Sequence, residues 1–383
     1  MVGSEHSLGA TAEHSEENPP WEQELATASE RIALHFPRAE TRTHVRAYLA
    51  GLLANIERRN GWQLSRATGS STPYALQHIV GRAIWDAEAV RDDLQIFVRD
   101  SLLRAPFNLR FGQIGFAKKG SRSAGVRRQF NRTTSRIENC QVGMFVGCVT
   151  DRDCVLIDRA LYLPPIWMRD ISRRRRVGIP DELKYASKAE LVSQMLCRAL
   201  DAGFEPEWVV SESGQDADLR TLSMLEARAQ PYVIGLDPSQ LAARNDNLVP
   251  QSGVVLAGHE CDWKGVEIGG LERFQWTMST PCNVSPSRFR STLCKRDTFE
   301  VTKIDHYAVF APATCQMTAI IRAIADRPQV TKGVTSARVR LGLDQYEVRS
   351  WSGWQRHVTL VLWAQALLGA YRLRTTSPRN AAR

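Results

Sequence analysis

No two cysteines in this chain stand in a CxxC spacing, although eight are present, at Cys140, Cys148, Cys154, Cys197, Cys261, Cys282, Cys294 and Cys315. This excludes a zinc ribbon or a thioredoxin-like dithiol, whose chemistry needs closely paired thiols. Scattered cysteines read as reduced thiols of an intracellular protein. The run His259-Glu260-Cys261-Asp262 holds metal-ligating types, but adjacent residues rarely converge on one ion, so no metal site is expected there. Long apolar runs are missing too. Val358 to Leu368 is largely apolar, yet it falls short of the roughly 20 residues of a membrane span and suits a buried helix. The N-terminus is polar and acidic, without a basic-then-apolar signal pattern. A cytoplasmic protein with no membrane partner is expected. Acidic residues are in deficit: 41 Asp and Glu face 50 Lys and Arg, a net charge of +9. The sequence pI is near 9.3, which favours a polyanionic partner, nucleic acid first.

The remaining composition is that of an ordinary globular protein, 43% hydrophobic and 24% charged. A length of 383 residues suggests two domains, or one large domain with insertions. Residues 1–20 read as a disordered tail rich in Ser, Glu, His and Gly. Residues 21–105 read as a helical, helix-turn-helix-like region. Leu52, Leu53 and Ile56 share one face of a helix expected to fray near Gly61, and a short helix covers Trp62 to Ala67. Ser71 or Thr72 can cap the next helix, with Pro73 in its first turn. Its apolar stripe is Leu76, Ile79, Val80, Ala83 and Ile84; the opposite face offers Gln77, His78 and Arg82. Such a face suits either a DNA groove or an ordinary helical bundle.

From residue 106 the texture changes to an α/β pattern. Strands are expected at Phe107–Phe111, Cys140–Thr150, Cys154–Leu163, Trp208–Val210, Tyr232–Leu236 and His306–Phe310. Helices are expected at Lys188–Ala202, Ala217–Ala229, Met317–Ala325 and Trp354–Leu373. Strands first in a run, then alternating with helices, imply a mixed sheet. Residues 106–236 form its first part, 237–296 an inserted, partly β segment, 297–373 its second part, and 374–383 a basic tail.

Several phrases resemble one family. They include Glu57-Arg58-Arg59-Asn60-Gly61-Trp62-Gln63-Leu64, Thr72-Pro73-Tyr74-Ala75-Leu76-Gln77-His78 and Arg136-Ile137-Glu138-Asn139-Cys140-Gln141-Val142-Gly143. Leu156-Ile157-Asp158-Arg159-Ala160-Leu161-Tyr162-Leu163-Pro164 and Gly342-Leu343-Asp344-Gln345-Tyr346-Glu347-Val348-Arg349-Ser350-Trp351 join them, followed by Gly353-Trp354-Gln355-Arg356-His357. In this order they resemble bacterial insertion-sequence transposases of the DDE superfamily, of the type numbered seven hundred and one. The resemblance implies an RNase H-like α/β core behind a helical N-terminal domain.

It also implies which residues should cut DNA. Two divalent ions about 4 Å apart, held by carboxylates, drive in-line phosphoryl transfer. The first carboxylate belongs at the end of the first core strand, where this chain reads Gly112-Gln113 ahead of Gly115-Phe116-Ala117-Lys118-Lys119-Gly120. The second follows the strand with Trp208; the nearest acid is Glu212, on a shortened loop. The third lies on a helix, and Thr331 stands in its place, with Pro328 before it and Arg338 at the position of a family lysine. No intact catalytic set is therefore expected. No cofactor is expected either, and magnesium only if a residual nuclease site survives. Asp151, Asp153, Asp158 and Glu347 are the other acids that such a site would have to recruit.

Basic residues remain. Lys118, Lys119, Arg122, Arg127, Arg128, Arg132 and Arg136 crowd one region, and Arg173, Arg174, Arg175 and Arg176 form a run without an interleaved acid. With Gln77, His78, Arg82 and Arg338 they are candidate DNA contacts, against the alternative of a solvated charged face. Three functions compete: a cleavage-deficient binder of duplex DNA; a small-molecule protein with the old cleft rebuilt around His259, Cys261, His306 or Tyr346; and a nuclease with substituted ligands. A homo-oligomer is left open.

Overall fold

The computed structural model describes residues 20–151, 153–211, 217–237, 239–240, 263–266, 273–325 and 330–376. Five helices come first: α1 (Glu22–Ile32), α2 (Ala39–Leu53), α3 (Gly61–Ala67), α4 (Tyr74–Gly81) and α5 (Ala87–Ser101). Four strands follow, β1 (Asn108–Ala117), β2 (Arg127–Asn131), β3 (Arg136–Val149) and β4 (Cys154–Tyr162), then α6 (Pro165–Arg169), α7 (Ile171–Arg176) and α8 (Lys188–Asp201). The chain continues through β5 (Trp208–Ser211), α9 (Leu219–Ala227), β6 (Tyr232–Leu236), β7 (Lys264–Gly265), β8 (Phe274–Met278), β9 (Cys282–Ser285), β10 (Arg288–Asp297) and β11 (Ile304–Pro312). It closes with α10 (Met317–Ala325), α11 (Val330–Leu341) and α12 (Trp351–Thr376).

All the described strands belong to one sheet. Its nucleus runs β4-β3-β1-β5-β6, antiparallel among the first three and parallel at β1–β5 and β5–β6. That order and mix of directions is RNase H-like. β11 then pairs antiparallel with β6, and β10 with β11, so the sheet runs on into the segment read from sequence as an insertion. The expected boundary at residue 296 falls inside β10. Pairing with β11, over Arg288–Pro312 to Arg296–Ile304, makes β10 part of the core sheet instead.

β1 is buried over nine of its ten residues, as a central strand covered on both faces must be. It extends six residues beyond the expected Phe107–Phe111, because continuous pairing with β3 holds Gly112 to Ala117 in the ladder. α12 is the axis of the helical layer. Trp354, His357, Val358, Leu362 and Trp363 are all fully buried, and Trp363 Nε1 donates to Val90 O of α5 at 3.0 Å. Tyr48 of α2 reaches the same helix, its hydroxyl 2.8 Å from His357 Nδ1. The helical region is therefore packed onto the core. Trp351 to Thr376 is also the longest described helix, and no helix of the described residues is long and apolar enough to cross a membrane.

The N-terminal helices depart from expectation at their ends. α2 stops at Leu53, not near Gly61, because Ala54 turns extended. The Arg59 guanidinium donates to Leu52 O, Ile56 O and Ala54 O, satisfying carbonyls that a longer helix would have used. α4 starts after Pro73, without a side-chain cap from Ser71 or Thr72, and stops at Gly81. Ile84, expected in the apolar stripe, is therefore 88% exposed, while Ala83 is still buried. The turn is fixed from outside the helix: Trp85 Nε1 donates to Ile79 O at 2.8 Å.

Candidate functional site

β1 and β5 are parallel neighbours, with Arg110 opposite Val210; β5 ends at Ser211, beside the middle of β1, which runs on along β3 to Ala117. A cleft of about 360 Å³ opens there, and α11 forms its third wall. It brings together Gly112 of β1, Ser211 at the end of β5, and Thr331 in the first turn of α11. Two of the three positions read from sequence as the former carboxylates therefore meet here. The third, Glu212, follows Ser211 in the chain and lies outside the described residues, as does Pro328.

Among the described residues the walls carry guanidinium groups and hydroxyls. The described lining residues include Arg110, Arg132 and Arg338 and no carboxylate. Thr331, Thr335 and Arg338 sit at i, i+4 and i+7, on one face of α11. A Cβ built on Gly112 would lie 2.9 Å from Val330 Cγ1, so the volume where an aspartate would begin is filled by a methyl group. Behind it Arg110 is buried and donates to Ala323 O and Ile324 O at 2.7 and 2.6 Å, tying the end of α10 to β1. Gln113, on the other face of β1, accepts from Lys188 Nζ at 2.6 Å. Arg338 pairs with Asp344 at 2.8 Å.

The other acids are engaged elsewhere. Asp158 is fully buried between Arg91 at 3.1 Å and Arg198 at 3.0 Å, a structural cluster joining β4 to α5 and α8. Asp153 pairs with Arg372, and Glu347 lies 3.4 Å from Gln77 Nε2. None of them, nor Asp151, lines the cleft, and no cluster of three metal-ligating side chains occurs among the described residues. His306 and Tyr346 do not line it either: His306 pairs with Leu236 on the far strands, and Tyr346 donates to Gln141 Oε1 at 2.7 Å. His259 and Cys261 lie outside the described residues.

The basic segments meet. Arg173 stacks on the Trp167 ring, 3.8 Å from its centroid, and donates to Ser121 O at 3.0 Å. α7 is thereby pinned to the loop that carries Lys119 and Arg122, both exposed. Arg127 and Arg128 stand exposed on β2, and Arg176 on α7. Arg174 departs from the expected set. It is buried, donating to Asp181 O and Leu183 O at 3.1 and 3.0 Å, because the turn after α7 wraps its guanidinium. Arg175 is exposed but paired with Asp181 at 2.8 Å. Lys118 is half-buried over the Tyr346 ring at 3.7 Å, and burial pushes its ammonium down to about 8, offset in part by Asp344. It lines a depression with Lys119, Arg122 and Arg349, the last a cation the sequence reading did not single out. His78 and Arg82 are exposed on and just after α4, while Gln77 turns toward Glu347. The segment 345–349 thus touches both the α4 face and the Lys118 loop.

Sequence reasoning missed Val330, Thr335 and Arg110 as cleft residues. Only the spacing of Thr335 between Thr331 and Arg338 could have signalled one of them. A search of curated proteins returns no match. The family model of the DDE superfamily endonucleases matches residues 32–259, more than half of the chain, and takes in β1, β5 and the helical region from the end of α1. With the RNase H-like strand order and that match, this chain belongs to the DDE superfamily endonuclease family.

Proposed function

We propose that this chain is a transposase-derived protein that binds duplex DNA without cutting it. One observation carries the reading: the cleft offers Gly112, Ser211 and Thr331, with Val330 packed where a side chain on residue 112 would start. Two hard cations need several carboxylate oxygens in fixed positions, and a glycine and two hydroxyls cannot supply them. One further acid, such as Glu212 next in the chain, would leave the pair of ions without a second ligand set. The exposed cations on the 118–128 segment and α7 support the binding half, since they could neutralise phosphates without reading bases.

The test is a titration of duplex DNA across about 50 to 200 mM salt, with magnesium or manganese present and strand nicking followed in the same tubes. The logarithm of affinity should fall linearly with the logarithm of salt, and the duplex should stay intact. Tight binding indifferent to salt would remove the DNA reading. Cation-dependent nicking that tracks the purified protein would remove the claim that cutting is lost.

A further inference from the structure

A depression of about 440 Å³ lies between the loop after β1 and the segment ahead of α12, and it shares no residue with the cleft. Lys118, Lys119, Arg122 and Arg349 line it, with Ser121 and Ser123 between them. None of the four cations has an ion-pair partner among the described residues. Glu347 is the one carboxylate on the wall, and it lies 3.4 Å from both Gly61 N and Gln77 Nε2, on the side of α3 and α4.

Lys118 is the least exposed of the four. Its ammonium rests on the Tyr346 ring without a hydrogen bond among the described residues, yet it keeps accessible surface. Burial strips it of hydration, and Asp344 offsets that only in part. A cation that has lost water and gained no counter-ion favours an anion from outside. The loop is also held from behind. Asn139 Nδ2 donates to Lys118 O and Gly120 O at 2.7 and 2.9 Å, Arg173 to Ser121 O at 3.0 Å, and Ala124 N to Arg349 O at 2.9 Å. Carbonyls that would repel an anion are thus occupied by protein donors, and the frame is ordered before any ligand arrives.

The ligand class follows from the charge and from the lack of a stacking surface. Four cations against one carboxylate leave a surplus of three. A phosphodiester brings one charge, a phosphomonoester about two. Tyr346, the only aromatic residue on the wall, is covered by Lys118 and donates its hydroxyl to Gln141, so no ring is free to stack a base. We propose that this depression binds a terminal phosphate group, the doubly charged monoester, in preference to the diester of a nucleic-acid backbone. Arg122 and Arg349 take its oxygens as planar forks, and Lys118 and Lys119 act as point charges. A free phosphate and a 5′-phosphorylated DNA end both offer this chemistry. The site does not rest on the DNA-binding reading, since a chain that binds no duplex can still hold phosphate.

Calorimetry with the full chain at fixed ionic strength tests it, with inorganic phosphate and dimethyl phosphate as probes. Phosphate should bind saturably with a Kd below about 1 mM, and dimethyl phosphate about tenfold more weakly or worse. Lys118→Met and Arg349→Gln should each weaken phosphate about tenfold, and Arg349→Gln, a surface change, should leave the melting temperature unchanged. Arg127→Gln, outside the depression, should bind phosphate as the parent does. Two short duplexes that differ only in a 5′-phosphate or a 5′-hydroxyl separate the sources. Displacement of phosphate by the first alone assigns the site to a DNA end, and displacement by neither assigns it to a free phosphate. The proposal is overturned if phosphate does not saturate, if dimethyl phosphate equals it, if Lys118→Met and Arg349→Gln both bind as the parent does, or if the two duplexes displace it equally.

Discussion

Two charge-rich regions of this molecule are lined in opposite ways, one by no described carboxylate and the other around a buried one. The cleft where β5 ends beside β1 is lined by Arg110, Arg132 and Arg338 and by no described carboxylate, with Arg338 paired to Asp344 outside it; under the proposed function Gly112 and Thr331 stand at the former acid positions. On β4, Asp158 is completely buried and held by Arg91 and Arg198, with Gln95 3.5 Å away. The chain has therefore not shed buried acids generally. A carboxylate stands where packing leaves two guanidiniums that need a counter-charge; under the proposed function, those whose role would be to hold cations are the ones lost.

The largest expected effect lies on the structural side. Asp158→Ala removes a fully buried carboxylate that pairs with the buried Arg91 and the partly exposed Arg198, and should destabilise the fold by about 3–5 kcal/mol, read from urea unfolding. Retention of full stability would show that the cluster is dispensable, and the contrast with the cleft would collapse. Next comes His357, fully buried, its imidazole driven down to about 4 chiefly by desolvation. Its folded value lies below the unfolded one, so its contribution is complete above about 6.5 and lost as pH falls toward 4, by about 3 kcal/mol. A His357→Phe variant should show a flatter stability profile between pH 6.5 and 4.

Restoring acids to the cleft is the third test. Gly112→Asp must push Val330 Cγ1 aside and should cost about 1–3 kcal/mol, as overpacking does. Adding Val330→Ala should recover part of that loss. Gly112→Asp with Thr331→Glu should still fail to nick DNA in magnesium, since three arginines and a repacked wall remain. Nicking by the double variant would mean that the cleft keeps its metal geometry and lacks only ligands. The smallest effects concern binding. Arg127→Ala with Arg128→Ala should lower the slope of log affinity against log salt by about 2, whereas Arg174→Ala should lower stability and leave that slope alone. Affinity should also weaken as pH rises through about 8, where Lys118 loses its proton, and Lys118→Arg should abolish that step.

Much of the fold was legible in the chain. Tyr232–Leu236 and Met317–Ala325 are the expected elements residue for residue, because β-branched alternation and helical periodicity are local properties. The ends of α2 and α4 were not legible. They are set by Arg59 reaching back to three carbonyls and by Trp85 closing on Ile79. Gly112 and Thr331 could be picked out along the chain, but that Val330 fills the space between them could not, since more than two hundred residues separate β1 from α11.

The acid deficit with which the sequence presents itself determined a basic protein unaided, and the expectation of lost carboxylates rests on residue identity at Gly112 and Thr331. Residue identity alone carries net charge and ligand chemistry. Which cations face solvent was decided by the tertiary structure. Arg173 and Arg174 are neighbours in one run, yet one stacks on Trp167 beside the basic loop and the other is buried under its own turn. Charge is counted along the chain, but its availability depends on the carbonyls and rings that folding brings within hydrogen-bonding reach.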